Sequence, residues 1–149
     1  MKKWLSNNIL QLAWTQAVVA TLGSLYFSEV LKFPPCVLCW YQRILMYPLA
    51  IIILVGILRK DKGIHWYVVP LSIGGFLIAA YHNLLYYKIL PESIAPCMLG
   101  VSCTTKYIEW LGFITIPLLS LIAFTVITVS MIIFMKLSKQ SDIQETTKN

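Results

Sequence analysis

Six side chains in this sequence could do chemistry together. Four are its cysteines, Cys36, Cys39, Cys97 and Cys103, spaced as C-x2-C and C-x5-C. The others are Arg43, four residues past Cys39, and His82. An even cysteine count in two close pairs points to two redox-active dithiols or to one four-cysteine metal site. The spacing speaks against the metal. Some 57 residues and two apolar runs separate Cys39 from Cys97, whereas zinc knuckles bring their second pair within about 12–20 residues. Val37, Leu38 and Trp40 offer no carboxylate to a metal's outer shell. Inert structural disulfides are the other plain reading. A C-x2-C loop closes too few residues to gain much from chain entropy. Its short span also strains the bond and eases its reduction.

Within the first pair, Cys39 is the better thiolate. The second apolar run opens at about Trp40, which puts Cys39 at a helix N-terminus, where free N–H groups and the macrodipole favour an anion. Arg43 follows one turn later on the same face. Both effects lower a thiol pKa. Arg43 itself either snorkels to anchor its helix or donates hydrogen bonds to a ligand beside Cys39. A ligand reached from lipid, next to a reactive thiolate, points to a lipid-soluble electron acceptor. A quinone fits, because its carbonyl oxygens accept from a guanidinium and its ring accepts electrons. The chain has no G-x-G-x-x-G and no P-loop to bind a nucleotide cofactor instead. His82 and Asn83 either line such a pocket or are hydrogen-bonded packing residues.

The elements that must position these residues follow from composition. Of 149 residues, 58% are apolar and 12% charged, against about 45–50% and about 25% in a soluble domain. That excludes an ordinary water-soluble globule, and the many aromatics exclude a disordered chain. The apolar residues form four runs, 9–28, 40–58, 64–87 and 113–135. At about 1.5 Å per residue each crosses a hydrocarbon core of about 30 Å. Backbone in lipid must satisfy itself, so the runs are helices; a membrane barrel would show alternation and more segments. The expected fold is an all-α membrane protein, a four-transmembrane-helix bundle over residues 1–135, with loops at 29–39 and 88–112. The polar tail, 136–149, is expected to be disordered. Lys2, Lys3 and the first run could mimic a cleaved signal peptide, but the run continues past Ala20 as an uncleaved span does. Pro48, Pro70 and Pro117 are expected to kink their spans, and Gly74-Gly75 to let helices approach closely. Trp4, Trp66, Tyr67, Tyr86, Tyr87 and Trp110 read as interfacial belts.

Charge sets the expected orientation. The termini and the turn at 59–63 carry eight Lys and Arg against three acids, while loops 29–39 and 88–112 with Arg43 carry four against three. The formal +6 is therefore mostly a positive-inside signal, with both termini cytoplasmic. Basic residues split among short membrane-flanking pieces do not make a nucleic-acid surface. All four cysteines then fall on the outer side, where disulfides persist.

The segment Cys36-Val37-Leu38-Cys39-Trp40-Tyr41-Gln42-Arg43 resembles the signature of the DsbB family of membrane disulfide-bond formation proteins. Residues 23–29, 40–48 and 110–117, with Pro96-Cys97 and Cys103, are similar to its BdbC-type subgroup in Gram-positive bacteria. The resemblance implies a dithiol:quinone oxidoreductase in the cell membrane. Its partner is an extracytoplasmic thioredoxin-like thiol oxidase of the DsbA or BdbD kind, which attacks a Cys97–Cys103 disulfide. Cys97 corresponds to the residue that forms the mixed disulfide with the partner, and Cys103 to the one that passes oxidation state to Cys36. Cys39, as thiolate, faces a menaquinone or ubiquinone beside Arg43; His82 is a candidate to line the same pocket on its position alone. Handing the electrons to the quinone pool keeps the outer compartment oxidising. The chain departs from the family in two places. Only five residues separate Cys97 from Cys103, and Gln42 stands where an acidic residue is common. A vitamin-K-epoxide-reductase-like enzyme would place the loop pair before the membrane C-x-x-C, the reverse of the order here. A non-enzymatic membrane protein with structural or metal-binding cysteines is the remaining alternative.

Overall fold

The computed structural model describes residues 2–91 and 115–146, and among them all regular structure is helical. The helices are α1 (Lys2–Leu25), continued by a π-helical turn (Tyr26–Val30), α2 (Val37–Arg59), α3 (His65–Tyr86) and α4 (Ile116–Thr146). All four are long and apolar enough to cross a membrane. Consecutive helices pack side by side, and α4 closes the ring against α1.

Two kinds of apolar residue build this bundle. Ala13, Ala17, Leu49, Ile53, Val68, Phe124 and Ile127 are fully buried between helices. Leu12, Leu22, Ile44, Ile51, Leu77 and Ile122 point outward and stay exposed. In water such a surface would aggregate, whereas in lipid it is the solvated face. Small residues set the close approaches. A β-carbon at Gly75 would overlap the ring of Phe124, and one at Gly56 would overlap Ile64. The expected close approach therefore belongs to Gly75, while Gly74 has ordinary room beside Leu45.

Lysine, not glycine, ends the first three helices. Lys32, Lys60 and Lys88 adopt left-handed backbone, with φ of 56°, 52° and 56°. After α2, the Asp61 N–H reaches the Gly56 carbonyl and the Lys60 N–H that of Ile57. After α3, Ile89 reaches Leu84 and Lys88 reaches Leu85 in the same way. Both are Schellman closures, which satisfy otherwise orphaned carbonyls. A left-handed lysine costs about 1–2 kcal/mol relative to right-handed backbone. The Asp61 side chain holds the turn after α2 by accepting from the Gly63 N–H at 2.7 Å.

Three expectations change. Pro117 does not kink α4; it stands in its first turn, where a missing N–H costs nothing. Thr115 caps that turn by accepting from the Leu118 N–H at 3.4 Å. Helix α4 also runs on to Thr146, through the stretch expected to be a disordered tail. No glycine or proline follows Pro117 to stop it. Finally, Tyr86 is buried at 8% exposure, whereas Trp4, Trp66, Tyr67 and Tyr87 are exposed as belt residues would be. Trp110 lies outside the described residues.

Candidate functional site

The site is built where α2 begins. Pro34 and Pro35 stiffen the approach and remove two backbone donors. Cys36 follows with φ −70° and ψ 168° and is the N-cap of α2. Its Sγ accepts from the Cys39 N–H at 3.3 Å, and its carbonyl takes the Trp40 N–H at 3.1 Å. The helix thus starts three residues earlier than hydropathy suggests. The sulfur that receives the helix-end N–H belongs to Cys36, and Cys39 stands in the first turn. Hydropathy marks where lipid begins, whereas the cap is set by the prolines and by a side chain able to accept.

The two sulfurs lie 2.7 Å apart. Cys36 is buried and Cys39 half-buried. The Cys36 thiol, just outside the membrane-spanning stretch, is held below the ordinary thiol range. Its hydrogen bond with the Cys39 side chain is the largest cause; burial opposes it, and His82 and the Cys39 amide reinforce it.

Helix α3 supplies His82, whose Nε2 lies 3.8 Å from Cys36 Sγ. Its Nδ1 lies 3.2 Å from the Gln42 side-chain nitrogen. Both residues are buried, at 2% and 7% exposure. With the amide nitrogen donating to Nδ1, the ring carries its proton on Nε2 and donates toward Cys36. Gln42 enters the sequence analysis only as a departure from the family pattern, and the structure places it in the site. Its i, i+3 spacing from Cys39 was its only local signal; its partner lies 40 residues away.

Arg43 is half-buried on the same side of α2. Its Nη2 donates to the Ser24 carbonyl at 3.0 Å, and its guanidinium carbon sits 5.6 Å from the centre of the Trp40 ring. Ser24 lies at the end of α1 next to the π-helical turn, and the Ser28 hydroxyl donates to the same carbonyl at 3.3 Å. Arg43 is therefore tied across to α1 by one nitrogen, with further N–H donors on its fork.

A cavity of about 240 Å³ opens beside these residues and touches all four helices. Cys36, Cys39, Gln42, Arg43, Tyr47 and His82 line it together with apolar groups such as Phe27, Met46, Ala123 and Phe124. The Tyr47 hydroxyl is buried with no hydrogen-bond partner among the described residues. Asn83 does not line the cavity. Its amide donates to the Ala79 and Pro117 carbonyls, at 2.8 and 2.9 Å, and fastens α3 to the start of α4. Of the six side chains singled out in the sequence, Cys36, Cys39, Arg43 and His82 come together; Cys97 and Cys103 lie outside the described residues.

A dithiol at a helix cap, an imidazole behind it and a guanidinium share one largely apolar cavity, an arrangement able to carry thiol–disulfide chemistry. Comparison with known proteins agrees with the dithiol chemistry. The family model described as "Disulfide bond formation protein DsbB" matches residues 6–134. The Bacillus subtilis (strain 168) protein named "Disulfide bond formation protein C" is 50% identical over 130 residues, covering 87% of this chain and 91% of the relative. A Bacillus anthracis relative named "Probable disulfide formation protein C 1" is 47% identical over 125 residues, covering 83% and 89%. No solved structure gives a significant match.

Proposed function

Because the chain belongs to the DsbB family of disulfide bond formation proteins, and so to the membrane disulfide-generating oxidoreductases, we propose which molecules stand at the two ends of its electron path. The donor is an extracytoplasmic thioredoxin-like thiol oxidase in its reduced form. The acceptor is a membrane quinone, a menaquinone if the Gram-positive likeness extends to the lipid pool. The observation that carries this reading is the Cys36–Cys39 pair set in the wall of an apolar cavity with Arg43 beside it.

The residues fit a quinone head. The lining is largely apolar, as a ring carried by lipid requires. The remaining donors of Arg43 suit one ring carbonyl. The Tyr47 hydroxyl, which has no partner among the described residues and lies four residues along the same helix, suits another polar atom of the head. His82 stands behind the dithiol, and with the Gln42 amide nitrogen on Nδ1 its Nε2–H faces Cys36. A bound quinone supplies the sink for two electrons and two protons released as the Cys36–Cys39 dithiol closes to a disulfide.

The dithiol arises by exchange. The reduced partner attacks the Cys97–Cys103 disulfide and leaves oxidised, and the Cys97–Cys103 dithiol then reduces Cys36–Cys39. Each exchange needs an attacking thiolate, an accessible disulfide and a stable leaving thiolate. The Cys39 N–H on Cys36 Sγ and the nearby imidazole stabilise charge on that sulfur as it attacks or leaves. In this reading the four cysteines face outward, both termini face the cytoplasm, and residues 1–135 act as one membrane domain.

The experiment uses the purified chain with Cys36 and Cys39 reduced, mixed with a short-chain menaquinone analogue. Quinone reduction and closure of the pair, counted by alkylation trapping, are expected one for one. A dithiol that stays reduced beside excess quinone would remove the acceptor from this account. Labelling of the cysteines from the cytoplasmic side of intact cells would remove the orientation.

A further inference from the structure

We propose that Cys36, Cys39 and His82 form a zinc-binding site that exists only while the pair is reduced, independently of which oxidant the pair serves. The two sulfurs and a ring nitrogen of His82 all lie within 4.8 Å of one another. Zn–S bonds of about 2.3 Å and Zn–N bonds of about 2.0–2.1 Å at a tetrahedral angle need sulfur and nitrogen about 3.5 Å apart. Cys36 Sγ and His82 Nε2 stand at 3.8 Å. Two zinc-bound sulfurs sit about 3.8 Å apart on the same arithmetic, so the sulfurs must part from 2.7 Å. Cys39 has the room, since it is half-buried and faces the cavity.

The donors choose the ion. Two thiolates and an imidazole, with no carboxylate, favour a thiophilic d10 cation over magnesium or calcium. The surroundings hold the imidazole as metal sites require. A ligating histidine is fixed through its other ring nitrogen, and Gln42 stands 3.2 Å from Nδ1. With its amide oxygen turned to Nδ1–H, the Nε2 lone pair is left for the metal. The fourth position opens onto the cavity of about 240 Å³, which has space for a water. Arg43, the cation that lines the cavity among the described residues, is tied to the Ser24 carbonyl at 3.0 Å. Two thiolates against one guanidinium still leave a net negative site.

This set differs from the four-cysteine site weighed from the sequence. It needs neither Cys97 nor Cys103, and its third ligand comes from α3. Binding moves no electrons. The thiols release their protons, and Zn2+ takes the two sulfurs and the nitrogen. With both sulfurs on zinc, the disulfide cannot form, so zinc and oxidation exclude each other.

The test uses the full chain in nanodiscs with Cys97→Ser and Cys103→Ser, leaving one cysteine pair. Zn2+ is titrated against a chromophoric chelator. One Zn2+ per reduced chain is expected, and none at this site once the pair is oxidised. Zinc-edge X-ray absorption is expected to report two sulfurs and an imidazole, a readout that needs no change at buried His82. Gln42→Leu is expected to weaken binding about 10–100-fold, as loss of an outer-shell partner does. Equal uptake by the oxidised chain, or an absorption spectrum without imidazole, overturns the proposal. These readouts count ions and ligands rather than turnover, so they stand or fall separately from the quinone assay.

Discussion

At one end of the bundle, around the turn at residues 60–64, the interior is mostly apolar: Leu49, Ile53, Ile64, Val68, Ile127 and Met131 are each at most 1% exposed. Of the described polar residues only the small Ser72 and Ser130 are buried beside them, Ser72 bonded within its own helix to the Val69 carbonyl. At the other end, around Cys36, the buried set includes Gln42, His82, Asn83 and Thr115, none above 7%. The apolar end closes through shape, with Gly56 packed against Ile64. The polar end closes through hydrogen bonds and leaves a cavity. Its bonding is also incomplete among the described residues, since Tyr47 and Asn83 each bury an oxygen with no partner there. Buried polar groups are costly unless satisfied. Their concentration at one end marks where the bundle gives up packing for chemistry.

Substitutions at the polar end separate turnover from folding. The largest effect on turnover is expected from Cys39→Ser, which removes one of the two sulfurs that carry the electrons. Quinone reduction by the reduced chain falls to background while thermal stability holds. Arg43→Ala comes next. A hydrogen bond from a charged group is worth about 1.5–3 kcal/mol, so KM for a menaquinone analogue is expected to rise about 10–100-fold. If KM and turnover both stay put, Arg43 only anchors α2 to Ser24 and lipid.

The contrast between the ends explains what the sequence reveals. The four membrane helices are legible because lipid demands long apolar runs, and nothing else in a 149-residue chain produces four of them. The cysteine pair and Arg43 are legible because they are neighbours on one helix. The rest of the site depends on contacts between helices. Gln42 meets His82 across 40 positions, and Arg43 meets Ser24 across 19. No local pattern encodes either pairing. Helix ends were hidden for another reason. Lys32, Lys60 and Lys88 take the left-handed positions where a reader looks for glycine. Tyr86 has the composition of a belt residue and the burial of a core residue. The polar stretch after Lys136 reads as disorder, although residues without glycine or proline can prolong a helix already begun.

A smaller effect on turnover is expected at Gln42. Gln42→Leu keeps the volume and removes the partner of His82 Nδ1. A lost hydrogen bond costs about 0.5–1.5 kcal/mol net, so stability is expected to drop by that order. Turnover falls several-fold as the ring loses its fixed orientation toward Cys36. Gln42→Glu, which can only accept at Nδ1, turns the ring to its other tautomer and takes from Nε2 the proton that faces Cys36, so its turnover falls further than that of the leucine variant. Equal rates for the leucine and glutamate variants assign Gln42 to packing alone.

The smallest effect on turnover, with a measurable loss of stability, is expected at Ile53. It is fully buried at the apolar end, two to three turns along α2 from Arg43. Ile53→Ala leaves a void among Leu49, Val68 and neighbouring core residues. In soluble cores such a void costs about 2–5 kcal/mol. Between membrane helices the hydrophobic part of that cost falls away, because lipid tails are as apolar as the core. The dispersion contacts are still lost, so about 2 kcal/mol is expected from unfolding in mixed micelles. Turnover per folded molecule should match the parent, because no cavity-lining residue has moved its partner. A turnover loss as large as that of Gln42→Leu, at full occupancy of the fold, would mean that packing at the apolar end sets the geometry of the dithiol. The two ends would then be one cooperative unit.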